Sequence, residues 1–337
     1  MVGAIASKTV QVHLNRRCNL ACAHCYSASG PRETEALPTG ALIEFLAEAA
    51  DEGYGVVAFS GGEPFLYDDF TVVLETAKAL GLRRLAVTNG TVLTGRCLEA
   101  LALLDLVAVS VDGREAVHNS IRRSPTAFAR MLKGLGVVRD AGLPFGIAHT
   151  VTRASLPDLP WMAEFAVEQG AHILQLHPLG MVGAAQDGLA GAQLDGEILA
   201  RTWLTALALQ ADYGERLAIH VDLFNRATLA ARPDLVVPGE GGEADNPQLS
   251  DILNPLVVMS NGDLSPICHA MGPAFRFGRL GSEPLPDIVR RFRATTLGEL
   301  SALCRDLWQE VVDDEEGWPY LNWYELLETR AQLQLVH

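Results

Sequence analysis

No stretch of the 337-residue chain approaches ~18 consecutive apolar residues, so nothing in it reads as a membrane span. The opening, MVGAIASKTVQVHLNRR, lacks a basic segment followed by a long apolar one and a cleavage site. It reads as the lead-in to a strand, not a signal peptide. Basic residues are outnumbered: 26 Lys and Arg against 41 Asp and Glu leave a formal charge of −15. The only short basic clusters are LRR (82–84) and IRR (121–123), which argues against general affinity for nucleic acid or anionic membrane. Cysteine is sparse, with six in all, too few for a disulfide scaffold. Three of the six crowd into RRCNLACAHCYSASG (16–30), at Cys18, Cys22 and Cys25, which suggests a reducing, cytoplasmic setting and a ligand role. There is no low-complexity tract and no repeat beyond an alternation of apolar runs with amphipathic stretches.

That alternation predicts the fold. Apolar runs at 10–14, 55–64, 84–90, 106–113, 145–152 and 173–180 are separated by helical patterns at 38–53, 68–80, 94–103, 125–141 and 157–169. Strand-then-helix units of this kind imply an α/β fold with a parallel sheet and helices outside, an open sheet or part of a barrel. The strand ends carry Gly, Ser, Thr, Asn and Asp, the residue types that gather where parallel strands meet ligands. After 180 the rhythm changes. A Gly-rich connector (184–196) leads to a helix over 197–212, a strand at 217–223 and a long surface loop at 227–250. A hairpin is expected around Asn-Gly-Asp at 256–269, and then an acidic helical tail (285–337) broken at 313–320.

Three thiolates within eight residues can hold three irons of a cubane cluster and leave the fourth iron open. They can instead form most of a tetrahedral zinc site, with its fourth ligand found elsewhere; His24 is too close to Cys25 in sequence to serve easily. They can also be three buried cysteines without metal.

The neighbouring segments bear on that choice. CNLACAHC (18–25) resembles the C-x3-C-x2-C signature of radical S-adenosylmethionine (SAM) enzymes. SGGEP (60–64), TNG (88–90) and SVDG (110–113) fall at strand ends where such enzymes carry similar motifs, so the resemblance covers residues 8 to about 180. It implies a partial (β/α)6 barrel over 8–182. It also implies a [4Fe-4S] cluster on Cys18, Cys22 and Cys25, with SAM chelating the open iron by its amino and carboxylate groups. One electron from a reductant such as flavodoxin or ferredoxin would then split SAM to a 5′-deoxyadenosyl radical that abstracts a substrate hydrogen. By the same resemblance, Gly61 and Gly62 admit the SAM ammonium, Glu63 and Pro64 shape that turn or add charge, and His24 lies against the adenine. Ser110 lies near the SAM carboxylate or ribose. Asp112 and Asn89 stand at turns, and Arg122 or Arg123 pairs the carboxylate. Thr150, Gln175 and His177 should face the same mouth, with His177 touching SAM or substrate, or merely structural.

Beyond a connector at 183–250, residues 251–337 resemble a degenerate SPASM or twitch extension, an α+β unit that in relatives binds further clusters. Cys268 and Gly278 fit its start, but Glu283 stands where the next cysteine is expected, and only Cys304 follows. The expectation is a hairpin and helix kept as a lid without a cluster; the alternative completes one with Cys304 and His269. Cys268 is also a candidate catalytic hydrogen donor, while Cys97 is expected to be an ordinary buried thiol. Trp318, Tyr320, Trp323 and Tyr324 are expected to pack as core. No leader-binding module is seen before Val10. The resemblance points to modification of a ribosomally made peptide by cross-linking or epimerisation. The alternative is dehydrogenation, decarboxylation or epimerisation of a small metabolite such as a sugar or amino acid. Outside the class stand a zinc-binding interaction module and an electron-transfer iron–sulfur protein.

Overall fold

The computed structural model describes residues 8–240 and 247–333. Its first half alternates strands and helices: β1 (Thr9–Asn15), α1 (Thr39–Asp51), β2 (Val56–Gly61), α2 (Phe70–Ala79), β3 (Arg83–Thr88), α3 (Leu98–Leu103) and β4 (Leu106–Ser110). Then come α4 (Glu115–Ile121), α5 (Ala127–Asp140), β5 (Phe145–Val151), α6 (Leu159–Gln169) and β6 (Ile173–Pro178). The helices are amphipathic as their spacing demands. In α1 the buried residues are Leu42, Phe45, Leu46 and Ala49, one stripe of the 3.6-residue period. Helix α6 ends where Gly170 takes a left-handed conformation (φ 81°) that a side chain would resist.

The connector carries α7 (Ala185–Gly188), α8 (Gly196–Tyr213), β7 (Ala218–Val221), β8 (Phe224–Asn225), α9 (Arg226–Ala231) and α10 (Leu249–Ile252). The C-terminal part carries β9 (Leu256–Val258), β10 (Asp263–Pro266), β11 (Gly278–Arg279), α11 (Leu285–Asp313), β12 (Tyr320–Leu321) and α12 (Trp323–Leu333). Strands β1 to β7 run parallel in chain order, and one ten-stranded sheet has the order β11-β10-β9-β1-β2-β3-β4-β5-β6-β7.

Three features differ from expectation. The strand placed in the connector, β7, continues the parallel sheet beside β6. The hairpin expected as a lid is a sheet edge: β9 pairs in parallel with β1, and β10 returns beside it. The exposed backbone of β1 needs a partner, and Leu256, Val257 and Val258, all fully buried, supply one. The surface loop at 227–250 contains α9 and α10 and buries Leu229, Val236, Val237 and Leu249; residues 241–246 of it lie outside the described residues. Its Pro, Gly and acidic content masked apolar positions that dock on α11, where Trp308 donates to the Leu229 carbonyl at 2.8 Å.

The two faces of the sheet are unlike. Val107, Val109, Leu174, Leu176, Ile219 and Val221 point outward and are buried in the main apolar core. The alternate residues Ala108, Ser110, Gln175, His177 and His220, with Asp222 next along, are small or polar and only partly buried. A parallel sheet covered on both faces would be apolar on both; this one keeps an open inner face. The C-terminal ends of its strands therefore border a cleft.

Candidate cluster and cofactor site

The cysteine loop leaves β1 and is pinned on several sides by backbone bonds. Cys18 N–H donates to Gly30 O (3.2 Å), Ala23 N–H to Ile121 O (2.8 Å) at the end of α4, and Ala184 N–H to Cys25 O (2.8 Å). Gly62 N–H bonds Asn15 O (2.7 Å) and Glu63 N–H bonds Arg17 O (3.0 Å), closing the β2 turn onto the loop.

All three cysteines are free thiols. Burial pushes Cys18 up to about 11 and Cys22 up to about 12, the latter against the attraction of Arg122. Each of these two also feels the charge of Cys25, so the three stand together. Among the described residues, however, no three His, Cys, Asp or Glu side chains gather around one point as a single ion would require. Zinc needs sulfurs about 2.3 Å from one centre. A cubane takes one thiolate on each of three irons, and such a group, with no fourth thiol in the loop, fits the donor set better.

The thiols already have hydrogen-bond partners. Ser29 N–H donates to Cys25 Sγ (3.4 Å), Ser27 Oγ lies 3.4 Å from the same sulfur, and Asn89 Nδ2 lies 3.7 Å from Cys18 Sγ. Asn89 also donates to Asn19 Oδ1 (3.0 Å) and accepts from Thr91 N–H (2.8 Å). It thus combines the expected turn with a contact to the Cys18 sulfur.

At three of the expected positions the chain's own contacts are explicit. Glycine is required at 61 and 62 by the chain's own backbone. A Cβ on Gly61 (φ 104°) would lie 2.6 Å from Asn15 O, and one on Gly62 would run into Arg17 O. Glu63 does not offer charge to the cleft: it is fully buried and accepts from Thr88 Oγ1 (2.8 Å), Asn89 N–H (2.9 Å) and Phe65 N–H (3.3 Å). It ties the β2 end to the β3 end and caps the turn that begins with buried Pro64; burial, opposed by these donors, pushes its carboxyl up to about 7. His24 bonds Asp112 (Nε2 to Oδ1, 3.0 Å), with its side chain 11% exposed.

Asp112 is the centre of a buried charge group. Arg122 Nε donates to its other oxygen at 2.6 Å, and its backbone N–H donates to His118 Nδ1 at 3.2 Å. Burial alone would raise the Asp112 carboxyl; Arg122 and then His24 reverse this and hold it well below the usual range. Arg122 engages Asp112 through its Nε. Arg123 adopts a left-handed φ of 50°. Ser110 ends β4 on the cleft side, partly accessible, and Thr150, the penultimate residue of β5, is partly accessible too.

Across the cleft, His177 Nδ1 and Gln175 Nε2 both bond the Asp222 carboxylate, which follows β7. The His177 side chain is 46% exposed. Burial works against its charged form, but Asp222 more than offsets this and raises it. Asp222 was missed in the sequence because nothing local to 217–223 signals a partner on β6.

Near the mouth on the β1 side, His269 packs against Tyr26 (ring centroids 4.6 Å apart), whose hydroxyl donates to Ser60 Oγ (3.1 Å). The segment after β10, not the hairpin itself, thus turns inward. Cys268 is buried beside the Glu328 carboxyl of α12, and burial followed by that carboxyl holds its thiol well above the usual range. Cys304 is buried on α11. Neither forms a three-residue ligand group with His269 among the described residues. Cys97 is only half-buried. Tyr320 stacks on Trp203 (4.8 Å), Tyr324 meets Phe224 edge-on, and Trp323 is core, but Trp318 is 51% exposed, contrary to expectation.

Residues 12–161 match the family described as the Radical SAM superfamily. The chain is 36% identical over 186 residues to the AdoMet-dependent heme synthase of Methanosarcina barkeri, covering 52% of each chain. It is 32% identical over 181 residues to the mycofactocin maturase MftC of Mycolicibacterium smegmatis, covering 52% of this chain and 46% of that one. The chain spans about half the length of the curated relatives it matches. The structure of Streptococcus suis SuiB bound to S-adenosylmethionine superposes with a TM-score of 0.68 at 18% identity, over 88% of this chain and 68% of that one, a likeness of fold. The matched segment carries the cysteine loop and all three later strand-end motifs, and over that segment the chain is similar to the radical SAM superfamily.

Proposed function

We propose that this protein is a radical SAM enzyme that modifies a ribosomally synthesised peptide. The observation that carries the enzyme class is the loop holding Cys18, Cys22 and Cys25, three thiols without a fourth, pinned to the C-terminal ends of β1 and β2 beside an open cleft. When bound there, a [4Fe-4S] cluster and SAM supply reductive cleavage of SAM to a 5′-deoxyadenosyl radical. The chain's own residues provide the rest. The three thiols would hold the cluster, Asn89 and the Ser29 N–H direct hydrogen bonds at the sulfurs, and Ser110 and the β2 turn would help hold SAM. Cys268 is the candidate hydrogen-atom donor if the product is an epimer. A reductant such as flavodoxin or ferredoxin supplies the electron. Among the described residues no helix is long and apolar enough to cross a membrane.

Peptide modification is favoured by the likeness to a maturase, and SuiB, which shares the fold, has been solved with its precursor peptide SuiA. A second reading, tailoring of a small metabolite, is favoured by the identity to a heme synthase. Anaerobic reconstitution with iron and sulfide, followed by SAM and reductant, tests the class. The expected result is a four-iron spectrum and 5′-deoxyadenosine, both lost in Cys18→Ala, Cys22→Ala and Cys25→Ala. A wild-type protein giving neither would sink it. Mass spectrometry of a short peptide encoded beside the gene, run against small-metabolite pools, decides between the two substrate readings.

A further inference from the structure

The three thiols do not share one environment. Cys25 is met by a backbone N–H and a serine hydroxyl. Cys18 is met by the Asn89 amide and lies near the buried Glu63 carboxyl. Cys22 has the buried Arg122 as its leading charged neighbour, ahead of Asp112, and Arg122 couples to Cys22 more strongly than to Cys18. The backbone enforces this closeness: the bond from Ala23 N–H to Ile121 O sets the residue after Cys22 against the residue before Arg122.

Arg122 is held firmly. Its side chain is 6% exposed, its Nε donates to Asp112 at 2.6 Å, and Asp112 is fixed in turn by His24 and by its own N–H to His118. Burying a guanidinium is costly and needs such a partner. A plain structural ion pair would not need to stand against a cluster ligand, and arginine keeps its charge at any working pH.

We propose that Arg122, positioned by Asp112, sets the reduction potential of the cluster ligated through Cys22. This rests on the cluster reading above. Reduction adds one negative charge to the cluster, so a fixed cation beside one sulfur stabilises the reduced form. Removing that cation lowers the potential; removing the nearby Asp112 charge raises it. Asp112 holds Arg122 in place through Nε and also opposes it directly with its own charge.

The test is a redox titration, followed by electron paramagnetic resonance, of reconstituted full-length wild type, Arg122→Gln, Arg122→Lys and Asp112→Asn without SAM. SAM affinity is measured separately on each. Arg122→Gln is expected to lower the midpoint by the equivalent of at least tenfold in the one-electron equilibrium, about 59 mV. Arg122→Lys should stay near wild type, and Asp112→Asn should move the other way. An unchanged midpoint in Arg122→Gln with SAM binding weakened tenfold would make Arg122 a clamp for the SAM carboxylate and overturn the proposal. If Arg122→Gln takes up no iron, Asp112→Asn decides: a raised midpoint supports the proposal and an unchanged one refutes it. Failure of the wild type itself to form a four-iron cluster would strike the underlying reading instead.

Discussion

Asp112→Ala should be among the most damaging single substitutions in the chain. Asp112 is 1% exposed and carries the Arg122 bond at 2.6 Å and the His24 bond at 3.0 Å. Truncating it leaves a guanidinium that is itself 5% exposed without a counter-charge. Breaking a buried pair from one side costs about 3–5 kcal/mol. For a chain of this size that corresponds to a fall in melting temperature of roughly 6–10 °C, at roughly 2 °C per kcal/mol. Arg290→Ala provides the contrast. Its pair with Asp287 has a similar length, 2.9 Å, but the arginine side chain is 77% exposed, so its loss should cost about 0.5 kcal/mol or less. The double variant Asp112→Ala/Arg122→Ala should be less damaged than Asp112→Ala alone, because the orphaned charge goes with its partner. The sign of the pH dependence follows from the depressed carboxyl. Its contribution is complete above the unfolded value near 3.8 and is lost only as pH falls below that. The gap between wild type and Asp112→Ala, measured by thermal melts of the purified chain, should therefore be constant from pH 5 to pH 8. A cost no larger than that of Arg290→Ala, or a gap that closes between pH 8 and pH 5, would refute the reasoning.

Gly62→Ala should lose more than half of the bound iron per chain after reconstitution, because its Cβ has only backbone and the Asn15 side chain to displace; Gly40→Ala, with nothing within 4 Å, should retain it. Equal iron in the two would refute the steric account. Asp222→Asn should lower the titration midpoint of His177, followed by nitrogen-15 NMR of the imidazole. The raised value means that the stabilisation from this pair is present below about 6.5 and fades as pH rises through the folded midpoint. An unmoved midpoint would show that Asp222 does not hold the charge. Cys268 should alkylate at pH 8 at least tenfold more slowly than half-buried Cys97 by mass mapping, since burial and Glu328 both keep its thiol protonated; equal rates would contradict this.

What was legible in the sequence is local. The cysteine loop, the Gly-Gly turn and the strand–helix rhythm are each contained in a window of a few residues, and each stands at the expected strand end. What was hidden depends on register between strands far apart in the chain. His24 meets Asp112 across 88 residues, and His177 meets Asp222 across 45. Glu63 reads as an acid beside a ligand because it directly follows the Gly61-Gly62 pair. Its true partners, Thr88 and Asn89, come from the next parallel strand. The apolar triplet Leu256–Val258 reads as a strand, but nothing in it says that the open edge of β1 is its partner.

The same logic explains why charge roles were harder to assign than ligand roles. A thiol that ligates must sit in the loop that presents it, so spacing within eight residues carries the information. A charge acts over distance and takes its meaning from its counter-charge. Arg122 next to Arg123 in sequence looks like an exposed basic step, yet the helix end that buries one leaves the other in a left-handed turn. Once Asp112 is fixed between His24 and Arg122, the pair is almost neutral as a whole but not from the position of Cys22, where the cation dominates. A sheet that aligns strand ends can therefore set one of three neighbouring thiols closest to a buried cation. Substitutions at Arg122 and Asp112, which separate the cation from its anchor, are where this distinction becomes measurable.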